Sequence, residues 1–153
     1  MRIILIVVGT LLGILLVLLV VAILRGELGR PLLYEFPAGY RGWVVITYEK
    51  PTCPPLIIKN FFLVISISSS GRACTSSPLP LGWRYCQYEY VRPSGTRTVI
   101  PASGWDSEKQ IWAGYTIPAQ QGTQFPRAVF FVGSKTELEQ SWGTEPNIRG
   151  EGP

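Results

Sequence analysis

Among 153 residues there is no histidine, and Asp106 is the only aspartate. Histidine is the commonest general base near neutral pH and the commonest metal ligand. Its absence excludes a Ser–His–Asp triad and an HExxH zinc site, and one aspartate cannot furnish an EF-hand loop. The sequence therefore names no metal, no cofactor and no catalytic constellation. Basic clusters are missing too. Of the charges behind the formal +4, Arg2, Arg25 and Arg30 flank an apolar run, where basic residues serve lipid headgroups and topology. The other lysines and arginines are scattered singly, so no nucleic-acid partner is expected.

What is present first is that apolar run. Ile3 to Leu24 gives 22 consecutive uncharged residues, almost all Ile, Leu or Val. As a helix they span about 33 Å, enough for a hydrocarbon core of about 30 Å. The reading is an uncleaved single-pass anchor over residues 1–25, with the lipid bilayer as partner of residues 3–24. The competing reading is a cleaved signal peptide, with Arg2 as its positive region and Val20-Val21-Ala22 as a small-residue cleavage site. The run exceeds the usual signal core of about 7–15 residues. No cysteine follows it, so a lipobox is excluded. Gly9 and Gly13 form a GxxxG pattern, which would admit a second helix closely.

Residues 26–33 read as a linker, and beyond it the period changes to two. Trp43 to Glu49 alternates as a strand with Val44, Ile46 and Tyr48 on one face. Asn60 to Ser68 reads as one strand, with Phe61, Leu63, Ile65 and Ile67 on its apolar side. Trp83 to Val91 places Arg84, Cys86, Tyr88 and Tyr90 on one face. Pro93-Ser94-Gly95 turns the chain into Thr96–Ile100, and Ile111–Ile117 and Arg127–Val132 complete the set. Six or seven short strands imply an all-β domain over residues 34–142, a small β-sandwich or partly open barrel. Ser134 followed by Glu137 is a capping box, predicting one short C-terminal helix to about Trp142. Residues 143–153 have the composition of a disordered tail.

Three cysteines allow one intrachain pair. Cys53 and Cys74 fall in loops, which can move to the Cα separation of about 4.4–6.8 Å that a disulfide needs. Cys86 falls in a strand and is expected reduced and buried. The expected bond is Cys53–Cys74, with Cys74–Cys86 as the alternative. Such a bond implies an oxidising compartment, hence a domain displayed outside the cytoplasm, periplasmic or on the cell surface.

Tyr34-Glu-Phe-Pro-Ala-Gly-Tyr-Arg-Gly-Trp-Val-Val-Ile-Thr-Tyr48 resembles the opening of an uncharacterised family of small bacterial envelope proteins, which read roughly Tyr-x-Ile-Pro-x-Gly-Tyr-x-Gly-x-Val. Pro54-Pro55-Leu56 is similar to that family's Pro-Pro loop, and Phe130-Phe-Val-Gly-Ser134 to its closing strand and helix start. The resemblance spans most of Tyr34 to Trp142. It implies an envelope location and a compact β domain, and it carries no catalytic residues to transfer. Its glycines have their own physical reading: Gly39 and Gly42 bracket Tyr40-Arg41 where the chain reverses, which calls for positive φ. Tyr40 and Arg41 are the candidate binding residues at this corner, set against a purely structural role.

Arg72-Ala-Cys74-Thr-Ser-Ser77 is the densest nucleophile cluster, but a cysteine or serine nucleophile needs an adjacent base. Glu35, Glu49 and Glu89 are the candidates for a carboxylate pair of the kind glycoside hydrolysis uses. Two functions stand. The first is a non-enzymatic, membrane-tethered envelope module, structural or partner-binding. The second is a small histidine-free hydrolase using Ser or Cys with Lys or Glu. A pocket joining Cys74 or Ser76 to Lys59, Lys109 or a glutamate would favour the second.

Overall fold

A computed structural model describes residues 2–24, 29–82, 84–105, 108–119 and 125–144. The chain divides into two compact units, Met1–Arg30 with Pro80–Arg84, and Pro31–Leu79 with Tyr85–Pro153. In the first unit, α1 (Arg2–Leu24) is a 23-residue helix. Its side chains are described from Val7 to Val21, and those from Val7 to Val20 are exposed. Among the described residues no helix is long and apolar enough to cross a membrane. Gly9 and Gly13 lie within α1.

Among its described residues the second unit has nine strands and a short helix. The strands are β1 (Leu32–Pro37), β2 (Gly42–Thr47), β3 (Ile57–Lys59), β4 (Phe62–Ser66), β5 (Arg72–Cys74), β6 (Cys86–Val91), β7 (Arg97–Val99), β8 (Ile111–Ile117) and β9 (Arg127–Val132); the helix is α2 (Lys135–Gln140). One sheet has the order β3-β4-β1-β6-β7 and the other β5-β2-β9-β8. Neither closes into a barrel, so the architecture is an open two-sheet sandwich. β1 runs parallel to both β4 and β6, and β2 runs parallel to β5 and antiparallel to β9.

Period-two alternation explains the core. Leu32, Tyr34 and Phe36 of β1 meet Val44, Ile46, Phe130 and Val132 of the opposite sheet, together with Tyr48, Ile65 and Ile100. Burying each such side chain contributes about 1.5–3 kcal/mol. The Tyr34 and Tyr88 rings stack at 4.8 Å, and the Phe130 ring meets both edge-on. The tyrosine-bearing face of β6 thus packs inward. On the outer face of the second sheet, Val45 and Val129 pack with Trp43 and Ile117. There Trp43 Nε1 donates to the Ser141 carbonyl just past α2.

Several expectations are corrected. Asn60–Ser68 is not one strand: β3 and β4 form an antiparallel hairpin in which Lys59 faces Phe62 across Asn60-Phe61. Both turn residues have positive φ, 48° and 74°, the pattern of a two-residue hairpin turn that ordinarily places glycine second. A bulky side chain there costs on the order of 1–3 kcal/mol. Phe61 consequently leaves the apolar face and is 68% exposed. Residues 72–74, read as loop, form edge strand β5, and Cys74 is its last residue. β1 begins at Leu32 and β6 at Cys86; Trp83, expected to open the latter strand, lies outside the described residues. The capping box at Ser134 and Glu137 is present as expected, but α2 ends at Gln140. Most of the expected tail, residues 145–153, also lies outside the described residues.

Candidate functional site

The disulfide joins Cys53 to Cys74, with Cα atoms 5.8 Å apart. The Cys53 loop is further tied to the strand end by hydrogen bonds. The Lys50 amide donates to the Thr75 carbonyl, the Thr75 hydroxyl and the Ser76 amide donate to the Pro54 carbonyl, and the Leu56 amide donates to Ser77 Oγ. Thr75 is buried within this knot. Cys86 is reduced, and it is half-buried rather than fully buried. The bond consumes the only thiol of the expected nucleophile cluster. Beside it, at the seam between the sheets, lies a cleft of about 230 Å³ lined by Pro55, Leu56, Ile65, Ala73, Cys74 and Thr75 among others. Among the described residues no lysine and no carboxylate lines it, so Cys74 is not joined there to Lys59, Lys109 or a described glutamate.

The corner around Tyr40 is also filled from within. Gly39 and Gly42 have φ of 75° and 126°. Tyr40 Oη donates to the Trp43 carbonyl at 2.5 Å, and Tyr90 Oη donates to the Tyr40 carbonyl at 2.9 Å. Gly71 leaves room for the Tyr40 hydroxyl, which a Cβ there would strike. The Tyr40 ring packs against the core beside Phe36. Arg41 stays exposed and donates to Gln110 Oε1 at 2.9 Å. Tyr40 is half-buried in these contacts, and Arg41 is the more exposed of the pair.

Three ionisable groups, Glu35, Glu89 and Arg97, converge instead on the outer face of the five-stranded sheet. Parallel register sets Glu35 of β1 opposite Glu89 of β6, and the β6–β7 hairpin brings Arg97 back beside them. Arg97 Nη2 lies 2.6 Å from Glu35 Oε1, and its Nη1 lies 2.9 Å from Glu89 Oε2. Gln87 Nε2 donates to the other Glu89 oxygen at 2.6 Å, and Ser66 Oγ donates to Glu35 Oε2 at 3.2 Å. Glu89 is only 8% exposed. Hydrogen bonds to Glu89 and then Glu35 raise the Arg97 pKa further above its ordinary value, so the guanidinium is permanently charged. Alongside, Leu33, Lys59, Phe62, Gln87, Glu89 and Arg97 border a cleft of about 180 Å³.

Chemically this is a closed circuit. The fork of one guanidinium is shared between two carboxylates, and the Ser66 hydroxyl is bonded to one of them. Glu49, the third carboxylate considered from sequence, lies apart, past β2, where Oε1 accepts from the Leu79 amide. Sequence had singled out Glu35 and Glu89 but not Arg97, whose role follows from the hairpin that folds it back. Among the described residues no group of His, Cys, Asp and Glu could hold a metal ion, and Asp106 lies outside them.

The profile of a family of unknown function, DUF6843, matches residues 30–141. No curated protein matches the chain. The fold is similar to the crystal structure of a candidate lipoprotein from Bacillus anthracis, at 25% identity and a TM-score of 0.58, over 79% of this chain and 83% of that one.

Proposed function

The chain belongs to DUF6843, a family of unknown function, and from that premise we propose that it is a membrane-anchored module of the bacterial envelope whose sandwich binds a partner and catalyses nothing. The observation that carries the non-catalytic part is the Arg97 bridge. Both converging carboxylates are engaged by one guanidinium, with the Ser66 hydroxyl bonded to Glu35. A partly buried, mutually satisfied polar cluster beside a small cleft suits recognition, where fixed donors and acceptors set specificity.

Anchoring is argued from the sequence, whose 22 consecutive uncharged residues, Ile3 to Leu24, would span a hydrocarbon core of about 30 Å as a helix. Display outside the cytoplasm is supported by the Cys53–Cys74 disulfide, which persists in oxidising compartments. The likeness to a candidate lipoprotein agrees with an envelope location. Gly9 and Gly13, one turn apart, give α1 a face on which a second copy could pack.

Two measurements test this reading. The full chain should stay with membranes through alkaline carbonate, whereas a soluble form beginning near Ile23 would replace the anchor with a cleaved signal. A photo-crosslinking residue at Gln87, on the polar sheet face, should give a discrete protein adduct in native membranes. The same residue at Ser94, in the β6–β7 turn, should not. Equal labelling at both positions would remove the partner-binding role of this face.

A further inference from the structure

The two poles of the five-stranded sheet differ. At one pole β1 begins, and there the Leu63 amide donates to the Pro31 carbonyl and the Leu32 amide to the Tyr85 carbonyl. The same line of hydrogen bonds places the β3–β4 turn and the start of β6 beside the point where the chain enters the sandwich. This pole presents Phe61, 68% exposed, and Tyr85, 60% exposed, with the Phe62 ring 6.3 Å from that of Tyr85. Lys59-Asn60-Phe61-Phe62 and Tyr85-Cys86 contain one cation and no anion. The opposite pole, at the β6–β7 turn, is polar, with Ser94 and Thr96 hydroxyls bonded to each other.

We propose that the pole where β1 begins rests on the surface of the bilayer, with Phe61 and Tyr85 seated at headgroup level and Lys59 facing anionic lipid. The proposal deepens the anchor reading and rests on it. Three observations single out lipid as the occupant. Only residues 25–31 separate Leu24 of the helix from Leu32 of β1, a reach of about 25 Å even when fully extended. Aromatic rings beside a basic residue are the composition of membrane–water interfaces. Finally, Phe61 takes the left-handed position where glycine would relieve the turn (φ 74°), and the sandwich leaves most of its ring in solvent.

The test places a nitroxide on the full chain reconstituted in phospholipid vesicles containing a minority of anionic lipid. Phe61→Cys and Ser94→Cys are each labelled in a Cys86→Ala background, with Tyr85→Cys as a second reporter at the first pole. Collision with oxygen relative to a water-soluble nickel chelate reads depth. The expected ratio is several-fold higher at positions 61 and 85 than at 94. Adding Phe61→Gly, which suits the turn and preserves the hairpin, should lower the ratio at position 85. Release of the chain by carbonate would overturn the anchor reading and this one together. Retention with equal ratios at all three positions would overturn this one alone.

Discussion

Replacing Cys53 and Cys74 together by alanine removes a cross-link that closes a loop of 21 residues. In the chain-entropy treatment the lost constraint, about 11 cal/mol/K for a loop of this size, corresponds to about 3 kcal/mol at 25 °C. The folded state should survive, because the Lys50, Thr75, Ser76 and Leu56 hydrogen bonds hold the same loop against the end of β5 without the sulfurs. The cost should therefore appear as stability and not as a different fold. For a domain of roughly 110 residues, that loss lowers the melting midpoint by about 10–15 °C. Thermal unfolding of the detergent-solubilised chain, followed by near-ultraviolet dichroism with and without reductant, reads the effect. The unreduced native protein should melt higher than the double variant, and reductant should bring it down to the variant's midpoint. A midpoint unmoved by reduction would show that the hydrogen-bonded knot, and not the disulfide, fixes the loop, and the entropic argument would fall.

Three further perturbations have definite expected results. Ser134→Ala removes the side chain that accepts from the Glu137 amide and should cost about 0.5–2 kcal/mol; an unchanged midpoint would mean the cap contributes nothing. Arg97→Met leaves Glu35 and Glu89 without their shared cation, a loss of about 1–3 kcal/mol in denaturant titrations near neutral pH. Adding Glu89→Gln should recover part of that loss, and a larger loss in the double variant would contradict the bridge. Burial first, then the neighbouring Tyr48, Cys86 and Tyr88 groups, pushes the Tyr34 phenol far above its ordinary value, and burial followed by Cys86 does the same to Tyr88. Because the folded state holds these phenols neutral, their stabilisation is complete below pH 10 and declines as pH rises toward their folded values. Tyrosinate absorbance at Tyr34 and Tyr88, isolated with Tyr→Phe variants, should therefore rise together with alkaline unfolding; ionisation while near-ultraviolet dichroism stays native would refute the assignment.

The parts legible in the sequence were those written in local periodicity. Val44, Ile46 and Tyr48 alternate into the core because a strand shows one face every second residue, and Ser134 with Glu137 caps a helix through contacts three residues apart. The Asn60-Phe61 turn was hidden because its second position lacks the glycine that marks such turns, so an apolar ring read as part of a strand. β5 was hidden because Arg72-Ala-Cys74 is too short to alternate and pairs only at an edge of its sheet. The disulfide partners were legible from the number and setting of the cysteines, although Cys74 proved to end a strand. The polar cluster was half legible: Glu35 and Glu89 could be named as carboxylates. Their meeting required the parallel β1–β6 register, and Arg97 required the hairpin after it.

The pairing of β2 with β9 has a consequence for biogenesis. β2 lies near the start of the domain and its antiparallel partner near the end, Gly42 facing Val132. β1 likewise waits for β4 and β6, both of which join it in parallel. A chain emerging amino terminus first therefore has no finished second sheet until Val132 is free. Such long-range pairings form slowly, because loop closure precedes the contacts that reward it. The polypeptide would thus remain threadable for nearly its whole length, which suits the export that the proposed function calls for.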